Sequence, residues 1–261
     1  MRILLFVPCF IDQLFPNVAV SALKVLKHLG IDVEFPEEQT CCGQPAYNSG
    51  YFDEARLVAM HEVNAFTKLA KKLAGQKGSE FESREVDIVG LSGSCIAMIR
   101  NFYPSLLEGD SRYTDVRKDF SSHAYEFSEF ISKKIGAQKF SGRLDTTVSF
   151  HDSCHGLREL GLKKEPRELL GRIEGLKLVE LPYSEVCCGF GGTFSVKFPE
   201  ISSAMADEKL KALEGTGCGT LVSGDSSCLM HLQGRAKKLG RSYRFAHIAE
   251  IMAESISRWS R

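Results

Sequence analysis

Short apolar runs alternate with amphipathic segments along most of the chain. Runs with the length and composition of buried β-strands lie at Arg2–Val7, Ile31–Phe35, Val86–Leu91, Thr146–Phe150, Leu176–Leu181 and Gly219–Val222. Helical spacing of apolar positions lies between and after them, at Val18–Leu29, Phe52–Leu73, a segment after Cys95, Glu165–Ile173, Ile201–Leu213 and Leu229–Leu239. Strands that alternate with helices predict βαβ units with parallel sheets, so the fold class is α/β.

The same order of three strands and their helices occurs twice. We therefore predict two pseudo-symmetric, Rossmann-like halves, one at residues 1–140 and one at residues 141–261. The segment Ser111–Ile135 looks helical and is predicted to join the halves, with a turn-rich stretch around Gly136–Asp145 after it.

The cysteines repeat with the same period as the elements. Eight of the nine form pairs, the first three separated by 145 or 146 residues and the fourth by 133: Cys9 and Cys154, Cys41 and Cys187, Cys42 and Cys188, Cys95 and Cys228. A shared Val-Glu-Phe/Leu-Pro stretch, at 33–36 and 179–182, precedes the two Cys-Cys-Gly triplets at the same distance. We interpret the chain as two copies of one structural unit, with Cys218 outside the repeat.

Every paired cysteine follows the end of a predicted strand. Cys9, the pair Cys41-Cys42 and Cys95 follow the three strands of the first half, and their counterparts follow those of the second half. In open parallel sheets ligands bind at the carboxyl ends of the strands. We therefore expect each half to gather four cysteines at one edge of its sheet.

Composition and charge exclude several classes of function. The chain carries 33 basic and 33 acidic residues, and this zero net charge argues against nucleic acid as a partner. The apolar start Ile3–Val7 is too short for a secretory signal, and no stretch approaches the roughly 20 residues of a membrane span. We expect a cytoplasmic protein, where cysteines rarely form structural disulfides and more often serve metal, redox or catalytic chemistry.

Two adjacent cysteines in each half favour an iron–sulfur cluster. Neighbouring Cα atoms are about 3.8 Å apart, too close for an unstrained disulfide. Structural zinc sites normally take ligands from separated positions, whereas a cluster presents several irons to neighbouring thiolates. Four thiolates per half match the usual ligand count of a cluster. We expect one cluster in each half, of the [4Fe–4S] type, with zinc as the alternative metal.

Longer motifs around these cysteines resemble the cysteine-rich CCG domain family, and most closely the lactate utilisation protein A family within it. The resemblance covers nearly the whole chain. It rests on Cys41-Cys42-Gly43-Gln44-Pro45-Ala46-Tyr47-Asn48-Ser49-Gly50-Tyr51, Ser92-Gly93-Ser94-Cys95, Cys187-Cys188-Gly189-Phe190-Gly191-Gly192-Thr193-Phe194-Ser195-Val196-Lys197, Cys228-Leu229-Met230 and His247-Ile248-Ala249-Glu250.

The resemblance implies an iron–sulfur redox subunit of a complex that oxidises L-lactate to pyruvate. It implies two protein partners, a LutB-like iron–sulfur protein and a LutC-like protein. The related cysteine-rich subunit of heterodisulfide reductase closes each half with Cys-x-x-Cys, but here Ser92 and Asp225 replace the first cysteine of that motif. The replacement leaves four thiols per half and weakens a role in cleaving disulfides.

Other interpretations remain open from the sequence. The chain is either a redox relay, a zinc-stabilised scaffold that assembles the complex, or a thiol–disulfide oxidoreductase. His151 and His155 flank Cys154 and are ligands, proton donors or local structural residues. The first half has no histidine at those places, so the repeated ligand set does not need them and a structural role is favoured. Arg100 is either a carboxylate-binding group or a surface charge, and His231 is expected to pack on its helix.

Overall fold

The computed structural model describes residues 1–75, 86–113 and 116–259. Within them the chain forms eight strands: β1 Arg2–Phe6, β2 Asp32–Glu34, β3 Ile88–Gly90, β4 Ala124–Glu126, β5 Gly142–Phe150, β6 Ile173–Leu178, β7 Thr220–Ser223 and β8 Arg244–His247. The helices of the first half are α1 Cys9–Leu14, α2 Pro16–His28, α3 Gln44–Asn48, α4 Phe52–Ala74, α5 Gly93–Ala97, α6 Tyr103–Leu106, α7 Val116–Ser122 and α8 Phe127–Glu129. Those that follow β5 are α9 Cys154–Leu160, α10 Lys164–Leu170, α11 Phe194–Lys197, α12 Pro199–Thr216, α13 Ser226–Lys238 and α14 Ile248–Trp259.

Short stretches of other helix types complete the chain. Met98–Phe102 and Phe130–Gly136 are π-helical, and Ser111–Tyr113 and Ala137–Lys139 are 3₁₀ turns. Among the described helices, none has both the length and the apolar character that crossing a membrane requires.

The two halves have the same sheet topology. The strand order is β2-β1-β3-β4 in the first sheet and β6-β5-β7-β8 in the second, and every pairing is parallel. In each sheet the first strand of the half lies centrally, with the second strand on one side and the third on the other. The prediction of an α/β protein with two Rossmann-like halves is confirmed.

The fourth strand of each sheet was not predicted. The segment Ser111–Ile135, predicted to be helical, contains β4, which pairs with β3 through Ile88 and Ala124. Residues 114–115 of that segment lie outside the described ranges. β4 has only three residues, so its sequence carries no strand periodicity and its pairing with β3 decides its conformation. β5 likewise begins at Gly142, inside the stretch predicted to be turn-rich.

One hydrophobic cluster joins the two halves. It contains Ile3 and Leu26 from the first half together with Val148 and Ile251 from the second. Helix α14, at the end of the chain, contacts α2 of the first half as well as β5. The two sheets are therefore held by a shared core. A second cluster lies mainly in the first half but includes Leu160 and Leu162 of the second, and a third lies within the second half.

The shared core gives a stability prediction. Ile251 is fully buried on α14, so Ile251→Ala leaves a cavity and should lower the free energy of unfolding by about 2–5 kcal/mol. The matched control is Ile201→Ala on α12, where the side chain is 56% exposed and the expected change is within about 0.5 kcal/mol. Urea unfolding followed by circular dichroism measures both variants. Equal losses would contradict the role assigned to α14.

Candidate metal centre

Four of the eight repeated cysteines lie at the amino ends of helices. Cys9 is the first residue of α1 and Cys154 the first residue of α9. Cys95 and Cys228 are each the third residue of their helix, α5 and α13. A helix amino end favours negatively charged sulfur, but for Cys9 and Cys154 the hydrogen bonds to neighbouring thiols and partial burial outweigh this and raise the pKa.

Each pair of vicinal cysteines is followed by a glycine with a positive φ. Gly43 has φ +81° and Gly189 has φ +93°, in the left-handed region that L side chains rarely adopt. A Cβ atom on Gly189 would lie 2.6 Å from the carbonyl oxygen of Ser202. The turn directs each glycine N–H back to the first sulfur of its pair, at 3.4 Å from Sγ of Cys41 and 3.4 Å from Sγ of Cys187.

The four sulfurs of each half lie in contact. The Sγ atoms of Cys9 and Cys41 are 3.7 Å apart, and those of Cys42 and Cys95 are 3.2 Å apart. In the second half the thiol of Cys187 is hydrogen-bonded to that of Cys154, and the thiol of Cys188 to that of Cys228. All nine cysteines are free thiols. The predicted gathering of four thiols per half is therefore present.

Both sets of thiols face one cavity between the halves. Its volume is about 820 Å³, including the part open to solvent. All eight repeated cysteines line it, and so do Gln44, Asn48, His155 and Phe190. The Gln44 amide donates to the carbonyl of Ser94 at 3.0 Å and lies 3.5 Å from Nδ1 of His155 in the other half. The sequence predicts a sheet edge with four cysteines in each half, but it does not predict that the two edges meet at one cavity.

Thiol–thiol hydrogen bonds divide the sulfurs into two classes. The thiols of Cys42 and Cys9 and the N–H of Gly43 lower the pKa of Cys41 to about 3. The Cys154 and Cys188 thiols and the N–H of Gly189 lower the pKa of Cys187 to about 2.

The donating thiols have the opposite shift. The hydrogen bond to Cys41 and partial burial raise the pKa of Cys9, and the hydrogen bond to Cys187 and partial burial raise the pKa of Cys154. Four adjacent sulfurs in one half do not all ionise without a cation between them. A bound metal deprotonates its thiols outright, so the donor set fits a thiophilic metal or an iron–sulfur cluster.

Buried residues of opposite charge fix the two vicinal loops. Glu62 on α4 accepts hydrogen bonds from the backbone N–H and the hydroxyl of Thr40, just before Cys41. Lys209 on α12 donates to the carbonyl oxygens of Tyr183 (2.5 Å) and Ser184 (3.3 Å), before Cys187. The loop before the vicinal cysteines is thus held by a carboxylate in the first half and by an ammonium group in the second. Neither residue was predicted from the sequence to belong to the site.

Ser92 and Asp225, which replace cysteines of the reductase motif, join the two halves. The Ser92 hydroxyl and the Ser94 N–H each donate to Oδ2 of Asp225 at 3.1 Å. Oδ1 of Asp225 accepts from the N–H and the hydroxyl of Ser227. Both carboxylate oxygens are engaged, so the two residues serve as helix caps and a link between the halves rather than as further metal ligands.

Histidine 151 is fully buried behind the second set of thiols. Its Nδ1 lies 3.2 Å from the carbonyl oxygen of Ser184. Burial, and next the charge of Lys209, lower the pKa of His151 to about 4, so the ring is neutral at physiological pH. One of its ring nitrogens and the sulfurs of Cys188 and Cys228 all lie within 4.8 Å of one another.

Several other candidate residues lie away from the cavity. Cys218 is buried in the hydrophobic cluster of the second half, with its Sγ 3.9 Å from the carbonyl of Thr216. Arg100 forms an ion pair with Glu129 at 2.7 Å and donates to the carbonyl of Ala124, so it is a structural residue of the first half. His231 packs beside Phe190 and lies 3.3 Å from the Ser202 hydroxyl, as expected for a packing role.

Comparison with known proteins gives a family-model match over most of the chain and relatives that match nearly all of it. The family model named "Cysteine-rich domain" (CCG) matches residues 3–100 and 148–233. "Lactate utilization protein A 2" of Bacillus cereus (strain Q1) is 39% identical over 99% of this chain and 100% of the relative. "Lactate utilization protein A" of an Exiguobacterium species is 39% identical over 98% of each chain. Among solved structures, an aspartate racemase homologue from Pyrococcus horikoshii OT3 is 12% identical with a TM-score of 0.33, covering 100% of this chain and 99% of that one.

The two classes of thiol give a prediction for alkylation of reduced, metal-free protein. Cys41 and Cys187 are ionised far below neutral pH, so their rates with iodoacetamide should stay flat between about pH 5 and 8. Cys9 and Cys154 have raised pKa values, so they should react only at strongly alkaline pH. All four thiols are partly exposed, so access does not separate them. Peptide mass spectrometry measures each site, and parallel pH profiles would refute the assignment.

The link between Ser92 and Asp225 gives a double-mutant cycle. Hydrogen bonds to a charged group contribute about 1.5–3 kcal/mol, so Ser92→Ala and Asp225→Ala should be coupled by an energy of that size. The control cycle joins Arg235 and Asp207, a partly exposed ion pair within the second half, whose coupling energy should be clearly smaller because solvent screens it. Denaturant unfolding supplies the free energies. Additive effects at Ser92 and Asp225 would show that the link does not contribute to stability.

Proposed function

The chain belongs to the lactate utilization protein A family of cysteine-rich CCG proteins, and from this we propose that it is an iron–sulfur redox subunit in the oxidation of L-lactate to pyruvate. The relatives' names supply the substrate. The observation that carries the redox assignment is the convergence of two four-thiol sets on one cavity. A scaffold needs stable metal sites, but it does not need two of them facing each other.

We assign the eight repeated cysteines as ligands, one set to each half, and we take residues 1–140 and 141–261 as the two metal-binding units. An iron–sulfur cluster, when bound, supplies sites that accept and release single electrons. The protein's own residues hold and tune it. Cys41 and Cys187 are the first sulfurs to ionise, and the N–H groups of Gly43 and Gly189 donate hydrogen bonds to them. Such hydrogen bonds to ligand sulfurs tune the reduction potential.

Oxidation of lactate removes two electrons and two protons, so this role needs other proteins. We propose a LutB-like iron–sulfur protein and a LutC-like protein as partners and a cytoplasmic location. A reducing compartment suits nine free thiols. The zero net charge gives no overall electrostatic attraction to nucleic acid, so we propose no nucleic-acid partner.

A zinc-stabilised scaffold is the second candidate, and one distance favours it. Tetrahedral zinc with Zn–S bonds of about 2.3 Å places neighbouring sulfurs about 3.8 Å apart. The Sγ atoms of Cys9 and Cys41 lie 3.7 Å apart, which fits that edge. The redox proposal predicts bound iron and a brown protein, whereas the scaffold proposal predicts bound zinc and a colourless protein.

Metal analysis of protein purified without oxygen distinguishes iron from zinc. We expect a brown protein with thiolate-to-iron absorption near roughly 400 nm and iron and acid-labile sulfide in equal amounts, since the clusters contain both. Elemental analysis and colorimetric sulfide assays measure them. Colourless protein with stoichiometric zinc and no sulfide would overturn the redox proposal in favour of the scaffold.

A matched pair of cysteine variants tests the ligand assignment. Cys188 and Cys218 are 2% and 3% exposed and belong to the same hydrophobic cluster, but only Cys188 lines the cavity. Cys188→Ser should lose most iron from the second half and growth on L-lactate, whereas Cys218→Ser should keep both. Iron content and growth of a complemented deletion strain are the measurements. Equal loss in the two variants would contradict the assignment.

A further inference from the structure

The imidazole of His151 is held in one tautomer by the backbone. Its Nδ1 lies 3.2 Å from the carbonyl oxygen of Ser184, and because a carbonyl only accepts, Nδ1 carries the proton and donates it. Among the described residues, Nε2 has no hydrogen-bond partner although the side chain is 0% exposed. A buried polar atom without a partner is costly, so this lone pair requires an explanation.

His151 lies beside two thiols of the second set. One ring nitrogen of His151 and the sulfurs of Cys188 and Cys228 lie within 4.8 Å of one another. Because Nδ1 is engaged by the Ser184 carbonyl, Nε2 is the nitrogen that is free to bind a metal. Histidines that bind metals usually donate the other ring N–H to a carboxylate or a backbone carbonyl, which fixes the tautomer and raises the basicity of the ligating nitrogen. The contact between Nδ1 and Ser184 is of this kind.

The first half has no such group. His151 lies three residues before Cys154, and the residue three before Cys9 is Phe6. Phe6 is fully buried and packs edge-on against Phe66, with ring centroids 5.9 Å apart. The duplicated fold therefore presents an apolar ring on one side and an imidazole on the other.

We propose that Nε2 of His151 is a ligand of the metal centre in the second half, beside Cys188 and Cys228, and that the two centres are chemically different. The inference rests on the proposed function for the presence of iron. The first centre is held by thiolates alone, whereas the second has mixed nitrogen and sulfur ligation. In the second half this revises the assignment of all four cysteines, because the imidazole takes the place of one of them. Histidine in place of thiolate raises the potential of an iron–sulfur centre, so the second centre is the stronger electron acceptor.

The surrounding side chains differ in the same direction. Lys209 donates to the carbonyl oxygens of Tyr183 and Ser184 before Cys187, whereas Glu62 accepts from Thr40 just before Cys41. Burial lowers the pKa of Lys209 and raises that of Glu62, so each carries its charge less readily than in water. Where they are charged, the cation would favour the reduced state of the second centre and the anion would disfavour that of the first.

Pulsed electron paramagnetic resonance of the reduced protein, prepared with ¹⁵N-labelled histidine, tests the ligand. The wild type should show the strong nitrogen coupling of a directly bound imidazole. His151→Asn keeps an N–H group for the Ser184 carbonyl and removes only the nitrogen at the Nε2 position, so the coupling should disappear and the higher reduction potential should shift downward. A structural role alone predicts that the coupling and the potentials stay unchanged, and that result would overturn the proposal.

The control variant is His247→Asn in the same half. His247 is also fully buried, also has an Nε2 atom without a partner among the described residues, and its Nδ1 accepts from the Ala249 N–H, a contact that the Asn oxygen retains. It should keep the nitrogen coupling. If His151→Asn does not fold, His151→Gln serves, because its amide reaches the Nε2 position, and it too should lose the imidazole coupling.

Failure of the proposed function is separable from failure of this inference. Iron and sulfide bound without any nitrogen coupling would refute the His151 ligand and leave the redox role intact. If no variant binds iron, the redox role fails, and the ligand is then tested with Co²⁺ as the probe. Loss of His151 should weaken Co²⁺ binding to one of two sites at least about tenfold, and unchanged binding would overturn the inference.

Discussion

The constraint on which the rest of the structure depends is the unfavourable free energy of placing four thiols in contact in each half. Adjacent sulfurs at 3.2 and 3.7 Å cannot all carry charge unless a cation lies between them. Without one, a single thiolate per half accepts hydrogen bonds from its neighbours, and the donating thiols keep their protons. Loops, helix ends and buried charges around the cavity are arranged to hold these sulfurs together despite that cost.

Duplication supplies the two thiol sets, and the contact between the halves makes them one site. Parallel sheets of the same strand order direct their cysteine loops to the carboxyl edge, where the two edges face each other. Three connections maintain this arrangement: the hydrophobic cluster shared by both halves, helix α14 against α2, and the hydrogen bonds from Ser92 and Ser94 to Asp225. Ser92 and Asp225, which form the last of these connections, stand at positions that hold cysteines in the heterodisulfide reductase motif.

The halves agree in their sulfurs and differ in what surrounds them. Glu62 and Lys209 hold equivalent loops with opposite charges, and Phe6 and His151 occupy equivalent places with an apolar and a nitrogen-bearing ring. Repetition therefore preserves the cysteine scaffold, while single substitutions give each site its own electrostatic character. Such a difference gives two redox centres different reduction potentials without changing the fold.

The sequence alone determined the duplication, the α/β class and the cysteine positions. Apolar periodicity and residue spacing are properties that can be read directly from the order of residues along the chain. It also distinguished Cys218, which has no counterpart in the repeat. Only the tertiary structure decided the short strands β4 and β8, whose three and four residues take their conformation from a neighbouring strand. It likewise decided that both edges share one cavity and that a ring nitrogen of His151 lies near the sulfurs of Cys188 and Cys228. Contacts between distant segments depend on how the chain packs and not on residue spacing.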